Sequence, residues 1–354
     1  MPIPTEPIGS VPRSAPLLSA TQAHAEGRID SDTLRAATER AVAETVAAME
    51  ATGSPVISDG EQGKPSFATY PLVGLDSLAP DGVVIPFRDG HTRQLPRLAK
   101  GPFRYGTYSG TYVATARRYA KKPVKQAVIS PSALSLLYPA QGIAGYPRDR
   151  FLDDLTAESA KDIRSAFDAG AASVQIDFTE GRLSVKLDPS RALLREFVGL
   201  INRVLALFPV AERRRIGVHT CPGGDQDCTH SADVDYADLL PDLFRIDVGN
   251  VFMQMASEPD RSRIYGIVCD HRRPEQRVFV GVTDPIDPVV ETPEVVRDRV
   301  LEAVGYLPAG NLGTTDDCGF APFGDDTSTA RETAFAKIRA RVDGTRLAEA
   351  VLGI

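Results

Sequence analysis

Ser173-Val174-Gln175-Ile176-Asp177 and Arg215-Ile216-Gly217-Val218-His219 are two short apolar runs that end on a polar residue. Between them, Arg191–Phe208 repeats its apolar residues at helical spacing. A strand, a helix and a second strand in this order predict a parallel pair joined by a crossover. The same rhythm extends outward in both directions. Runs at Ile3–Ile8, Pro55–Ser58 and Val124–Ile129 precede this unit, and Val251–Met253, Arg277–Val282 and Asn311–Thr315 follow it. Helical spacing recurs in Ser31–Ala51, Arg150–Ala169, Asp233–Leu243, Asp260–Asp270, Pro293–Leu307 and Ser328–Val342, and a further helix is expected after the first strand. Eight parallel strands alternating with helices predict an α/β fold, a single (β/α)8 TIM barrel over residues 1–354. The aperiodic stretch 82–119, rich in Pro, Gly and aromatic residues, reads as an insertion at the barrel mouth. A doubly wound open sheet is the rival architecture, but no Gly-rich nucleotide fingerprint follows the early strands.

The 354 residues carry 40 Lys and Arg against 47 Asp and Glu, a net charge of −7 with no basic block. This argues against nucleic acid and against an anionic membrane surface as partners. No apolar run approaches the ~20 residues of a membrane span, and the first residues lack the pattern of a signal peptide. Four cysteines are too few for a secreted disulfide scaffold. A cytoplasmic location is therefore expected, and the sequence allows an oligomer.

In such a barrel the reactive groups belong at the C-terminal ends of the strands. Glu61, Asp177, His219, Cys221, Gln254, Asp284 and Cys318 all fall there. Asp and Asn at strand ends also cap the following helix, so any one of them has a structural alternative. Glu61, Asp177 and Asp284 are the catalytic candidates. In His219-Thr220-Cys221, residues i and i+2 of an extended chain face the same way, so imidazole and thiolate can address one metal ion. Cys318, at the end of the last strand, reaches the same mouth. One nitrogen and two sulfur ligands suit zinc, and a thiol bound to zinc is held as a thiolate. Cys269, within a helical stretch, is expected to pack.

The order of Ile8-Gly9-Ser10, Asp59-Gly60-Glu61, Val174-Gln175-Ile176-Asp177, Val218-His219-Thr220-Cys221 and Thr315-Asp316-Asp317-Cys318-Gly319 resembles the zinc-bearing C-terminal barrel of the cobalamin-independent methionine synthase family. The family's separate N-terminal barrel has no counterpart here, so a core-only relative is expected. The resemblance implies a zinc-dependent transferase that moves a methyl group from a methylated donor, folate-like or other, to a thiol such as homocysteine. It implies zinc ligation by His219, Cys221 and Cys318, with Gln254 where the family has a glutamate ligand; Glu258, Cys228 or water are alternatives for that place. Substrate contacts are expected from Ser10, Thr69, Tyr138, Asp177 and Glu180. Asp177 matches the holder of the homocysteine amine, Thr69 stands for a second carboxylate, and Tyr138 is the one ring near the place of a pterin-stacking tryptophan. Ile286 stands where the family has a proton-shuttling histidine. These departures keep open a second enzyme reading, addition of a small thiol to another electrophile, as in the epoxyalkane–coenzyme M transferases. A non-catalytic zinc-binding scaffold barrel is a third reading. Lys64, Arg88, His91 and Arg93 have two readings, as positive charge at the mouth suited to an anionic substrate or, for each singly, as a solvated loop charge.

Overall fold

The computed structural model describes residues 2–354. Six strands form one parallel sheet in chain order: Lys125–Ile129, Ser173–Asp177, Ile216–Thr220, Asn250–Met253, Arg277–Thr283 and Leu312–Asp316. Their residues are almost continuously buried, as expected of parallel strands covered on both faces. The ladder register places Asp177 opposite His219 and Thr220 opposite Met253. The strand ends that carry chemistry therefore lie side by side.

The first two expected strands are present in position but reduced to single bridges, Thr5 to Thr314 and Ile57 to Val124. Pro4, Pro7 and Pro55 remove the N–H donors that a longer ladder needs. Side chains supply part of the closure instead. Ser58 Oγ donates to the Gly9 carbonyl at 2.6 Å, and Lys125 Nζ, inside the barrel, donates to the Pro7 carbonyl at 2.8 Å. Eight staves thus close the (β/α)8 ring.

Helices Ser31–Ala51, Arg148–Asp168, Ala192–Leu205, Tyr236–Leu243, Arg261–His271, Pro293–Val304 and Arg331–Leu352 follow the expected spacing. Caps start several of them: Asp30 accepts from Thr33 N, and Thr292 accepts from Val295 N with Pro293 in the first turn, both favoured N-terminal devices. Ala15–Ala25 is the further helix expected after the first strand. The expected insertion is narrower than 82–119. Its antiparallel pairs are Val84–Pro86 with Thr92–Gln94 and Leu78–Ala79 with Arg97–Leu98. Gly110–Arg117 is instead a helix packed against Ser31–Ala51 and Arg148–Asp168. Its start is fixed by the buried Asp162, which accepts from Ser109 N at 2.6 Å. Among the described residues no helix is long and apolar enough to cross a membrane.

The apolar core lies between the sheet and its helices, with Ile176, Val218, Val251 and Val280 against Leu194, Ile201, Leu239 and Val296. A buried polar cluster sits between the last strand and the last helix. Arg341, fully buried, reaches Asp316 Oδ2 at 3.1 Å and donates to the Glu6 carbonyl. This pair joins the last helix, the last strand and the first segment. Replacing Arg341 with Met leaves a buried carboxylate without its cation, a change expected to cost about 3–5 kcal/mol of unfolding free energy. Adding Asp316→Asn should recover part of that loss. Denaturant unfolding checks both, and an Arg341→Met midpoint equal to wild type would refute the account.

Candidate active site

His219, Cys221 and Cys318 converge so that their ligand atoms all lie within 4.8 Å of one another. The Cys221 and Cys318 sulfurs are 3.1 Å apart. Alternation along Ile216–Thr220 and into Cys221 aims the imidazole and the first thiol the same way, and the loop after Leu312–Asp316 supplies the second thiol. The Cys318 thiol is pushed well above its ordinary range, first by its contact with Cys221 and then by burial. Two thiols packed together with an imidazole form a set that a divalent cation would stabilise as thiolates. The residues fit zinc.

The ring of His219 is oriented from behind. Its Nδ1 lies 3.2 Å from Asp177 Oδ1, and that oxygen also accepts from Gln175 Nε2 at 2.7 Å. Burial lowers the imidazole pKa, but the Asp177 carboxylate, with Cys318 and the Asp317 carbonyl, outweighs it, and the net shift is upward. A carboxylate behind a ligating histidine is the usual device for fixing tautomer and ring direction.

Cys318 is positioned through its neighbour Asp317. Asp317 Oδ1 accepts from Met255 N and Ala256 N at 2.8 Å each, and Oδ2 accepts from Ser257 N and Oγ. Four donors on one side chain lock the last loop to the loop after Asn250–Met253. Space for that carboxylate exists because residue 281 is glycine: a Cβ there would sit 1.8 Å from Asp317 Oδ1. The register also shifts at this point, between Gly281 and Thr283. Ser10 braces the far side of the loop, where its carbonyl accepts from Phe320 N and its Oγ accepts from Ala321 N. Sequence reasoning gave no role to Gln175 or Asp317. Their signal was local, a polar residue two before Asp177 and an acid beside Cys318.

A cavity of about 920 Å³ opens beside this group, with His219 and Cys318 in its wall. Ser10, Glu61, Thr69, Asp177 and Glu180 also line it. Tyr138 and Asp284 do not. Tyr138 stacks on Phe151, and its hydroxyl donates to the Tyr146 carbonyl. Asp284 turns back to accept from Ile286 N. Thr69 is held by the Ser66 hydroxyl at 2.7 Å.

Glu61 has a left-handed backbone, φ 58°, a conformation uncommon outside glycine. It follows Gly60 in a turn whose N–H groups bond Ser58 Oγ and Asp59 Oδ1. Its carboxylate takes Lys64 Nζ at 2.9 Å, and burial raises its pKa. The hairpin of the insertion supplies Ile85, Phe87, Arg93 and Leu95 to the wall.

The expected positive mouth is corrected by the structure. Lys64 is bound by Glu61 and the Ala127 carbonyl. Arg93 is bound by Asp225 and Asp325, and His91 lies against Asp89 and Asp225. Arg88 is outside the cavity wall. Glu61 and Asp89 are local partners of Lys64 and His91, whereas the carboxylates that neutralise Arg93 are remote in sequence. Gln254 is also held elsewhere: its Oε1 accepts from Arg182 at 3.1 Å and its Nε2 donates to Ser257 Oγ at 2.8 Å. Cys269, expected to pack, is exposed.

Glu180 is the lining carboxyl whose environment is most altered. Burial pushes it from 4.5 up to about 7, against the pull of the Ser130 and Ser132 hydroxyls, both 2.5 Å from Oε1. Between these two pH values the folded chain holds a proton that the unfolded chain has released. Stability therefore falls as pH rises through that window and levels off above it. Glu180→Gln should flatten the slope by about 1.4 kcal/mol per pH unit there. Parallel urea titrations at several pH values read this directly, and identical wild-type and variant profiles would refute it. Gly281→Ala should displace Asp317 and with it Cys318, which lowers zinc affinity by about tenfold or more. A chelator competition titration measures that loss, and unchanged affinity would contradict the bracing role.

Residues 3–345 match the family model described as "Cobalamin-independent synthase, Catalytic domain". The chain is 24% identical to YxjH of Bacillus subtilis (strain 168) over 358 residues, covering 97% of this chain and 93% of that protein. It is 22% identical to the 5-methyltetrahydropteroyltriglutamate–homocysteine methyltransferase of Trichodesmium erythraeum (strain IMS101) over 323 residues. That match covers 89% of this chain but 40% of the relative's length. A solved B12-independent methionine synthase from Shewanella sp. W3-18-1, in complex with selenomethionine, superposes with a TM-score of 0.78 at 16% identity, covering 100% of both chains. A structure from Listeria monocytogenes, titled a putative vitamin-B12 independent methionine synthase, gives 0.73 at 21% identity, with 98% and 97% covered. These likenesses show the same barrel fold. By its match over nearly the whole sequence, the chain belongs to the catalytic-domain family of the cobalamin-independent synthases.

Proposed function

We propose that this chain is a single catalytic barrel, a zinc-dependent transferase that moves a methyl group from a methylated small molecule onto a thiol. Homocysteine is the acceptor that the names of the methyltransferase relatives suggest. The observation that carries this reading is the convergence of His219, Cys221 and Cys318 beside Asp177 at the wall of a large cavity.

His219, Cys221 and Cys318 would hold the metal, which when bound supplies ionisation of the acceptor thiol near neutral pH. Asp177 fixes the His219 ring and presents a carboxylate to the cavity, where it suits an acceptor ammonium. The acceptor sulfur attacks the methyl carbon; the sulfur–carbon bond forms as the donor–carbon bond breaks, and the donor leaves with that electron pair. Glu180 is a lining acid that keeps its proton up to about pH 7, the range in which an acid can assist a departing base.

One observation favours a second electrophile class. Three cations in the cavity wall, Arg13, Lys64 and Arg93, face four carboxylates, Glu61, Asp177, Glu180 and Asp325. All three cations are engaged within the protein, Arg13 by the carbonyls of Ala321, Glu61 and Lys64. A polyanionic donor would find no free positive charge there, whereas an uncharged electrophile such as an epoxide would meet a largely apolar wall.

Protein purified without added metal should contain about one zinc per chain, since three protein ligands hold zinc at catalytic sites. Cys221→Ser and Cys318→Ser should each lose it. Wild type should then alkylate homocysteine or another small thiol in assays that offer a methylated folate and an epoxide separately. Metal-free wild type that also fails to take up zinc would overturn the proposal.

A further inference from the structure

Gln254 directly follows the strand paired with the His219 strand, and the family resemblance implies that it completes the metal centre with an oxygen. Its amide is committed in the opposite sense. The carbonyl oxygen accepts from Arg182 NH1 at 3.1 Å, and the NH2 group donates to Ser257 Oγ, which donates in turn to Asp317 Oδ2. The donors at one end and the acceptor at the other fix which way the amide points. A flip would set NH2 against guanidinium N–H.

Arg182 is itself immobilised. It is 3% exposed, its guanidinium lies 4.1 Å above the Tyr236 ring, and Glu258 Oε2 stands 3.6 Å from NH2. Neither Arg182 nor Gln254 lines the cavity, whereas His219 and Cys318 do. The other side chains that could complete the set are also occupied: Glu258 faces Arg182, and the Cys228 thiol faces the Thr229 carbonyl.

We propose that the metal centre has three protein ligands, His219, Cys221 and Cys318, and that Arg182 is the positioning residue that holds the Gln254 amide away from it. The inference rests on the zinc reading above and deepens it. A buried cation beside the amide opposes any turn of its carbonyl toward a second, divalent cation, because that turn would strip the guanidinium of its hydrogen bond. Two thiolates and a neutral imidazole would balance a divalent charge, and the cavity that His219 and Cys318 line leaves room for a further ligand beside them. Only an incoming ligand, the acceptor thiol, then completes the tetrahedron.

Cobalt(II) titration of the metal-free full chain tests this, since both the affinity and the visible bands report the ligand set. Gln254→Ala and the near-isosteric Gln254→Met should keep the wild-type dissociation constant within about threefold, well inside the loss that removal of a ligand or its support causes. Their d–d and thiolate charge-transfer bands should superimpose on wild type. Homocysteine should add the same increment of thiolate absorbance to all three, and Cys318→Ser should lose thiolate intensity. A shifted d–d spectrum in both Gln254 variants, or an affinity loss above about tenfold, would make Gln254 a ligand and overturn the three-ligand centre while leaving the transferase reading intact. Wild type that takes up no cobalt would overturn both.

Discussion

The carboxylate of Asp317 is the constraint on which the site depends. It gathers three consecutive backbone N–H groups and one hydroxyl from the loop 255–257, an oriented cradle of the kind that stabilises a buried negative charge. Burial lifts its pKa to about 6 even so, with Asp284 adding to the rise. The adjacent residue is Cys318. Its approach to Cys221, 97 residues earlier, is therefore set by backbone hydrogen bonds between two loops and not by the thiols themselves. The missing side chain at Gly281 makes the arrangement sterically possible.

Much of this was legible in the sequence, and the boundary of legibility has a physical cause. Strand ends and the His219-Thr220-Cys221 pair follow from period-two alternation, which is local. The six central strands follow from apolar runs between helical segments. The first two staves were read as full strands, yet Pro4, Pro7 and Pro55 leave them one bridge apiece. The prolines that shorten these staves sit inside apolar runs that otherwise match the strand pattern. The orientation of Gln254 was not legible, because Arg182 lies 72 positions away. The same holds for the mouth. Lys64 has its partner three residues away, but Arg93 finds Asp225 and Asp325 across 132 and 232 positions. A list of cations without their partners suggests a field that the folded molecule does not have.

Glu180 illustrates how environment sets a chemical character that residue type alone does not announce. A glutamate in the first turn of a helix that follows a strand is ordinary. Sealed against Ser130 and Ser132, with its second oxygen unpartnered, it becomes a carboxylic acid near neutral pH. Asp177, on the same short segment, has a hydrogen-bond donor and an imidazole beside it instead. Two acids three residues apart thus face one cavity in different electrostatic settings, the arrangement by which proteins divide acid and base roles between like groups.

The reduced pairing of the first two staves has a mechanical consequence. His219 stands on the continuous ladder, and Cys221 and Cys318 follow directly from two of its strands. Ser10 and Glu61 stand on the sector closed by isolated bridges and a few side-chain bonds. Backbone with fewer shared hydrogen bonds opens at lower free energy. The cavity accordingly has one stiff wall, which keeps His219, Cys221 and Cys318 in register, and one compliant wall, which can yield as a molecule enters beside them.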